Sequence, residues 1–237
     1  MKNIVSRILL LIVALFLPQA SGCAAQSSLF KNAVTGMQVD SQTNTSDQHP
    51  ALSNPNLAQE QAPDQFKVKF ETTKGEFMME IVRTASPEGV DRFYNLVKIG
   101  YFKDIVIFRA IDGFMFQFGI HGDPSVSEVW SEANIKDDPA VGVSNTPGTI
   151  SFAKSGMPNS RSTQLFINLG NNSNLDGMGF TPFGKVVEGM DVVEKINTEY
   201  GENRGDVQGQ FKAKGNDYIL KEFPNLDIIK SVSIVED

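Results

Sequence analysis

In the run from Phe108 to Gly122, FRAIDGFMFQFGIHG, Arg109 is the one permanent cation, Gln117 carries an amide, and Phe108, Phe114, Met115, Phe116 and Phe118 supply large apolar side chains. Alternation puts Ile107, Arg109 and Ile111 on one face of a strand. After a turn at Asp112-Gly113, a second strand has Met115 and Gln117 facing one way and Phe114, Phe116 and Phe118 the other. The chemistry on offer is hydrogen bonding from a guanidinium that keeps its charge, beside an amide, among aromatic and thioether groups. The plain alternative is an arginine on a solvated strand face with phenylalanines in the core. The run alone leaves both open.

Composition removes several other chemistries. The chain has 237 residues with one cysteine, Cys23, and two histidines, His49 and His121. An internal disulfide and a Cys/His metal cluster are therefore excluded, and no metal or other cofactor is expected. A Ser-His-Asp hydrolase would depend on His121, and neither a Gly-X-Ser-X-Gly elbow nor a phosphate-cradling glycine loop occurs. Basic residues number 21 and acidic residues 28, for a net charge of -7. With no cluster of Lys and Arg, that balance argues against nucleic acid as a partner. A hydrophobic content of 41%, with 9% aromatics, is enough for a sizeable core.

A second segment, Gly148 to Asn168, reads GTISFAKSGMPNSRSTQLFIN, followed by Leu175-Asp176-Gly177 and by Phe183-Gly184-Lys185-Val186-Val187-Glu188-Gly189-Met190. With Phe108-Arg109 and Gly113-Phe114-Met115-Phe116-Gln117 before it, this order of motifs resembles the cyclophilin-type peptidyl-prolyl cis-trans isomerases, over about Phe66 to Asp237. Phe108 stands where many members have His. The resemblance implies a mainly β fold, a closed eight-stranded antiparallel barrel capped by two α-helices, with the site on the outer wall. It implies Arg109 and Gln117 as catalytic residues. Phe114, Met115, Phe166, Leu175 and Phe180 would line the slot for a proline ring, Ala153 and Lys154 would offer backbone to an extended substrate, and Gln164 lies beside them. Proline-containing unfolded or extended segments are the implied partners, and a monomer is expected. Asn174 stands where many relatives have a tryptophan that contacts cyclosporin, so weak binding of that ligand is implied. A tethered peptide-holding module without catalysis is the alternative from another class.

The elements that must position these residues follow in order. Phe66, Val68 and Phe70, then Phe77, Met79 and Ile81, alternate about a Thr73-Lys74-Gly75 turn and predict a hairpin. Ser86 and Pro87 open a helix that Gly100 ends. Ile120 to Pro147 shows no period and reads as a long surface excursion. Strands are predicted near Thr149–Ala153, Gln164–Asn168 and Phe183–Val187, and a short helix after Gly189. Tyr200 to Pro224 reads as a polar insertion with a short helix from Asn216 to Phe223, before a last strand from Ile228 to Val235.

Met1 to Gly22 has a basic start, an apolar run from Ile8 to Leu17, Pro18 and small residues. The run is too short to cross a bilayer and fits a signal peptide. Ala20-Ser21-Gly22-Cys23 looks like a bacterial lipobox, so Cys23 is expected to carry lipid and anchor an exported protein to a membrane, facing the periplasm. Ala24 after the cysteine points to the outer membrane. Residues 23–65, polar and aperiodic, are expected to be a disordered tether spanning about 35 to 40 Å as a flexible coil, with the isomerase domain at 66–237.

Overall fold

Large apolar side chains at every second position make the first hairpin. In the computed structural model, which describes residues 48–139, 142–202 and 207–235, β1 (Gln65–Thr72) and β2 (Gly75–Val82) pair antiparallel, Val68 opposite Met79 and Phe70 opposite Phe77. Their inward side chains are wholly or almost wholly buried in the main core.

Seven further strands extend this pair: β3 (Ile105–Val106), β4 (Arg109–Ile111), β5 (Met115–Phe118), β6 (Thr149–Phe152), β7 (Leu165–Asn168), β8 (Gly184–Glu188) and β9 (Ile228–Val235). The order is β3-β9-β1-β2-β8-β6-β7-β5-β4, and every pairing is antiparallel. The sheet curls on itself. Phe70 on β1 meets Phe118 on β5 edge to face at 6.1 Å, although four strands separate β1 from β5 in the sheet.

The expected closed eight-stranded barrel is corrected here to a curled nine-stranded sheet. Its outermost members, β3 and β4, are not paired with each other. They are successive pieces of one extended run, interrupted at Ile107 and Phe108, where the backbone N–H of Ile107 donates to the carbonyl of Asp227 at 2.9 Å. This one run of chain thus supplies a strand to each edge of the sheet.

The first helix, α1 (Pro87–Lys98), begins at Ser86 as expected, yet the serine hydroxyl does not cap it. Ser86 Oγ donates instead to Asp138, whose carboxylate accepts from the backbone N–H of Glu88 at 3.0 Å and of Gly89 at 2.9 Å. A carboxylate on the first turn satisfies otherwise orphaned donors and favours the helix dipole. Arg161 Nη1, 2.9 Å from Asp138, neutralises the buried charge. At the other end Gly100, with φ of 73°, closes the helix by donating to Val97, while Tyr101 donates to Leu96.

Two stretches hold more helix than the sequence predicts. Within Ile120 to Pro147 lies α2 (Pro124–Ser131), capped by Asp123, which accepts from Ser125 N at 2.8 Å. It buries Trp130 completely. After the short α3 (Met190–Val193), the insertion forms α4 (Val207–Glu222), a helix broken at Gly215. Only its second half was expected. Four α-helices therefore stand among the described residues, against the two that the resemblance implied.

Residues 49–237 form one unit. Its start lies earlier than the predicted boundary at Phe66. His49 caps a 3₁₀ turn, Ala51, Leu52, Ala58 and Ala62 bury in the main core, and Trp130 Nε1 donates to the carbonyls of Ala51 at 3.2 Å and Leu52 at 3.0 Å. Three alanines and a leucine among polar residues gave no periodic signal. Cys23 and the leader lie outside the described residues. No helix among the described residues is long and apolar enough to cross a membrane.

Candidate active site

A side chain on a strand faces the core or the outside by parity, and parity sorts this site. On β4 to β7, Ala110, Phe116, Phe118, Ile150, Phe152, Leu165 and Ile167 belong to the main core. Their neighbours Arg109, Met115, Gln117, Ser151 and Phe166 must then lie on the outer wall. The pairing puts Arg109 opposite Gln117, Gln117 opposite Phe166, and Phe166 opposite Ser151. One transverse row thus runs cation, amide, phenyl, hydroxyl across four strands.

Hydrogen bonds fix the polar end of the row. Arg109 Nη1 donates to Gln117 Oε1 at 3.3 Å, and Gln117 Nε2 donates to Gln164 Oε1 at 2.8 Å. The chain of bonds orients both amides and leaves the arginine side chain 22% exposed. Arg109 has a further partner that sequence reasoning missed: Nη2 donates to Glu202 Oε1 at 2.7 Å, from a carboxylate that is 64% exposed. It lies 93 residues away in sequence, and no motif marks it.

The apolar end is built from elements that come later in the chain. Phe166 is buried, and the Phe180 ring meets it edge to face at 5.8 Å. Lys154 Nζ lies 5.8 Å from the centroid of Phe180, a cation–π distance. Leu175 rides on the 3₁₀ turn Ser173–Met178. Phe114 is tied to that turn through Asn172, whose amide donates to the Phe114 carbonyl at 2.7 Å. Met115 is almost wholly buried and forms part of the wall's floor. Ala153 donates its N–H to the Gln164 carbonyl at 2.9 Å, so only its carbonyl remains for an extended substrate.

A buried amide network, also missed, holds the Leu175–Phe180 turn against the sheet. Asn145 donates Nδ2 to Asp176 Oδ1 and to the Phe180 carbonyl, both at 2.8 Å, and its Oδ1 accepts from Ser151 Oγ at 3.0 Å and Asn168 Nδ2 at 3.2 Å. Ser144 Oγ donates to Asp176 Oδ2 at 2.6 Å. Burial pushes the Asp176 carboxyl up, and the bonds from Ser144 and Asn145 overcome it and hold the carboxyl below its usual range. Asn145 carries four of these bonds, and in sequence it is one asparagine before a Thr-Pro-Gly turn.

A cleft of about 480 Å³ lined by Glu80, Val82, Thr146, Phe183 and Lys185 opens at β2 and β8. Arg109 is not among its lining residues, so this cleft is distinct from the transverse row. No group of His, Cys, Asp and Glu among the described residues is arranged to hold a metal ion.

A curled antiparallel sheet carrying an outward arginine–glutamine pair beside a phenylalanine wall defines a class, and comparison with known proteins supplies it. Residues 67–221 match the family model described as cyclophilin type peptidyl-prolyl cis-trans isomerase/CLD. The chain is 33% identical over 136 residues to peptidyl-prolyl cis-trans isomerase B of Escherichia coli, covering 54% of this chain and 82% of that protein. It is 33% identical over 133 residues to the peptidyl-prolyl cis-trans isomerase of Acinetobacter baylyi, covering 54% and 70%. A crystal structure of a cyclophilin-type isomerase from Cryptosporidium parvum superposes with a TM-score of 0.55 at 22% identity, covering 73% of this chain and 99% of that one. A second crystal structure of that protein, in the presence of the dipeptide Ala-Pro, gives a TM-score of 0.53 at 23% identity, covering 72% and 99%. The chain belongs to the cyclophilin-type peptidyl-prolyl cis-trans isomerases and is an isomerase.

Proposed function

We propose that the isomerase acts on X-Pro bonds of exported proteins, from a membrane anchor at a lipidated Cys23, and that the transverse row is its catalytic site. An X-Pro bond resists rotation because resonance gives the C–N link double-bond character, with a barrier of ~18 to 20 kcal/mol. When the bond twists, conjugation is lost and the prolyl nitrogen recovers a basic lone pair. A donor that meets that lone pair only in the twisted state lowers the barrier without a nucleophile.

Arg109 suits this role. Its charge is permanent, one N–H is directed by Gln117, and the side chain stays partly open to solvent. Gln117, steadied by Gln164, would take a substrate carbonyl. Phe114, Met115, Phe166, Leu175 and Phe180 would receive the pyrrolidine ring. The backbone at Ala153 and Lys154 would follow the extended chain. The observation carrying this reading is the in-register row of Arg109, Gln117 and Phe166 on the outer wall.

The leader sequence, the lone cysteine after Gly22 and the polar stretch behind it support export and anchoring. Two or more acyl chains at such a cysteine would hold it stably on a membrane. The alternative, a peptide-holding module without catalysis, draws on the Arg109–Glu202 pair, which partly neutralises the donor. One experiment separates the two. Arg109→Ala is expected to fold as the parent does and to lose about 10²- to 10³-fold in kcat/KM, the usual effect of removing one preorganised donor. A proline-isomer peptide assay that finds near-parental activity in the variant refutes the catalytic assignment.

A further inference from the structure

The contact between Arg109 and Glu202 is made by the part of the chain that the motifs do not cover. The segment that brings Glu202 to the site is anchored. Gly201 N donates to Thr198 O at 3.0 Å, and the Tyr200 ring meets Phe223 edge to face at 5.3 Å. Tyr200 Oη accepts from the backbone N–H of Asn225 at 3.3 Å. Beneath it a second core cluster joins Phe108, the residue before the arginine, to Phe211 and Ile219 of α4. Phe108 meets Phe211 at 6.2 Å. A phenylalanine at position 108 is thus the socket of the insertion, and the insertion sets a carboxylate on the reactive arginine.

A carboxylate at 2.7 Å changes what the arginine offers to a substrate. The guanidinium alone would attract anionic segments and repel cationic ones. With Glu202 beside it the pair is close to neutral, and the outer member, the more exposed of the two, is negative. A lysine or arginine next to the proline then finds a carboxylate at the entrance, and drawing Glu202 aside would return the full charge of Arg109 to the prolyl nitrogen. A glutamate there meets like charge and leaves the pair closed. Glu202 touches no reacting atom in this arrangement; it acts on substrate choice through charge.

Resting on the isomerase reading above, we propose that Glu202 is a specificity-determining residue, which makes the enzyme prefer proline segments with a basic neighbour over those with an acidic one. The test uses the full chain and three X-Pro peptides alike except for Lys, Ala or Glu before the proline. Both kcat/KM and Kd are measured for the parent and for Glu202→Gln, at low salt and at about 1 M salt. The parent is expected to favour the Lys peptide over the Glu peptide by about three- to five-fold at low salt, the size of one exposed charge interaction felt with opposite sign by the two peptides. That ratio is expected to fall to one or below in Glu202→Gln, where the unpaired guanidinium favours the Glu peptide. The parent's ratio should also fall at high salt, where the screening length shrinks to about 3 Å. The rest of the acidic surface contributes equally to both proteins, so the difference between them isolates Glu202. An unchanged ratio in Glu202→Gln, or no preference in the parent, overturns the proposal. If the Ala peptide is not turned over by the parent, the isomerase reading fails, and the ratio of Kd values still decides the role of Glu202.

Discussion

His121 shows how one buried residue ties the fold to pH. It packs against Tyr101 at 5.1 Å between ring centroids, and its Nδ1 accepts from the backbone N–H of Asp123 at 3.0 Å. The ring is therefore neutral at Nδ1, and protonation there would break the bond. Burial pulls its pKa below the usual 6.5, against the pull of the Asp123 carboxylate. A histidine with a depressed folded pKa takes up protons less readily than in the unfolded chain. Its contribution to stability is complete above about 6.5 and is lost as the pH falls from there toward the folded value. Denaturant midpoints are expected to decline between pH 7 and 5 in the parent and to decline less in His121→Asn, whose amide oxygen keeps an acceptor for Asp123. Equal slopes in the two proteins would remove His121 from the account. At this scale parity set Met115 and Gln117 opposite Phe116 and Phe118, as the strand has them, whereas Ile107, read on the same face as Arg109, lies in the main core because the strand is interrupted at Ile107 and Phe108. Glu202 and Asn145 were not legible, because each acts through a partner brought near only by the finished fold.

Among the elements, α4 makes the clearest case of a position that tolerates one residue. Gly215 sits at φ 72°, ψ -164°, between two helical pieces, and Asn216 N donates to Gly122 O at 3.0 Å across the break. That backbone region is almost closed to residues with a side chain, and a Cβ would also overlap the Gly122 carbonyl. Gly215→Ala is expected to cost about 1 to 3 kcal/mol, which would appear as local opening of α4 in hydrogen exchange while the sheet stays protected. Since α4 carries its own cluster with Phe108, its release should also weaken the charge preference set by Glu202. Uniform loss of protection across sheet and helix would contradict this picture. The polar composition of the insertion hid the first half of α4, because only Val207 and Phe211 of it are buried. The helix α2 was readable and was missed: Asp123-Pro124 is a start signal, and Val126 and Trp130 are spaced four apart on one face.

For the whole molecule, the positions of most strands could be read from alternation and motif order, but neither the order of the sheet nor the edge of the folded unit could. Before Phe66 the chain has no period to read, yet residues there complete the core. Glu60 exchanges two hydrogen bonds with Asn95, Ala62 N donates to Asp91 at 2.9 Å, and Arg83 N donates to Asp64 O at 2.8 Å. Leu52 and three alanines fill space beside α1 and Trp130. A chain begun at Gln65 would uncover that apolar surface and leave the buried indole N–H of Trp130 without its two acceptors. Burying a leucine is worth about 1.5 to 3 kcal/mol, and each orphaned buried group costs about 1 to 3 kcal/mol. The loss is then about 3 to 6 kcal/mol from a total that is about 5 to 15 kcal/mol for a typical domain. For a domain of this size that corresponds to a fall in Tm of about 6 to 24 °C. Thermal unfolding of the chain begun at Gln48 beside the chain begun at Gln65 measures it, and matching Tm values would mean that residues 48–64 lie on the fold without supporting it. The same comparison governs how the proposed site should be assayed. Trp130, Tyr101 and Gly119 form a continuous path from that segment to the strand carrying Gln117, through the Tyr101–Trp130 contact at 5.6 Å and the Tyr101 hydroxyl bond to the Gly119 carbonyl at 3.1 Å. The shorter chain is therefore expected to lose isomerase activity at a lower temperature than the longer one.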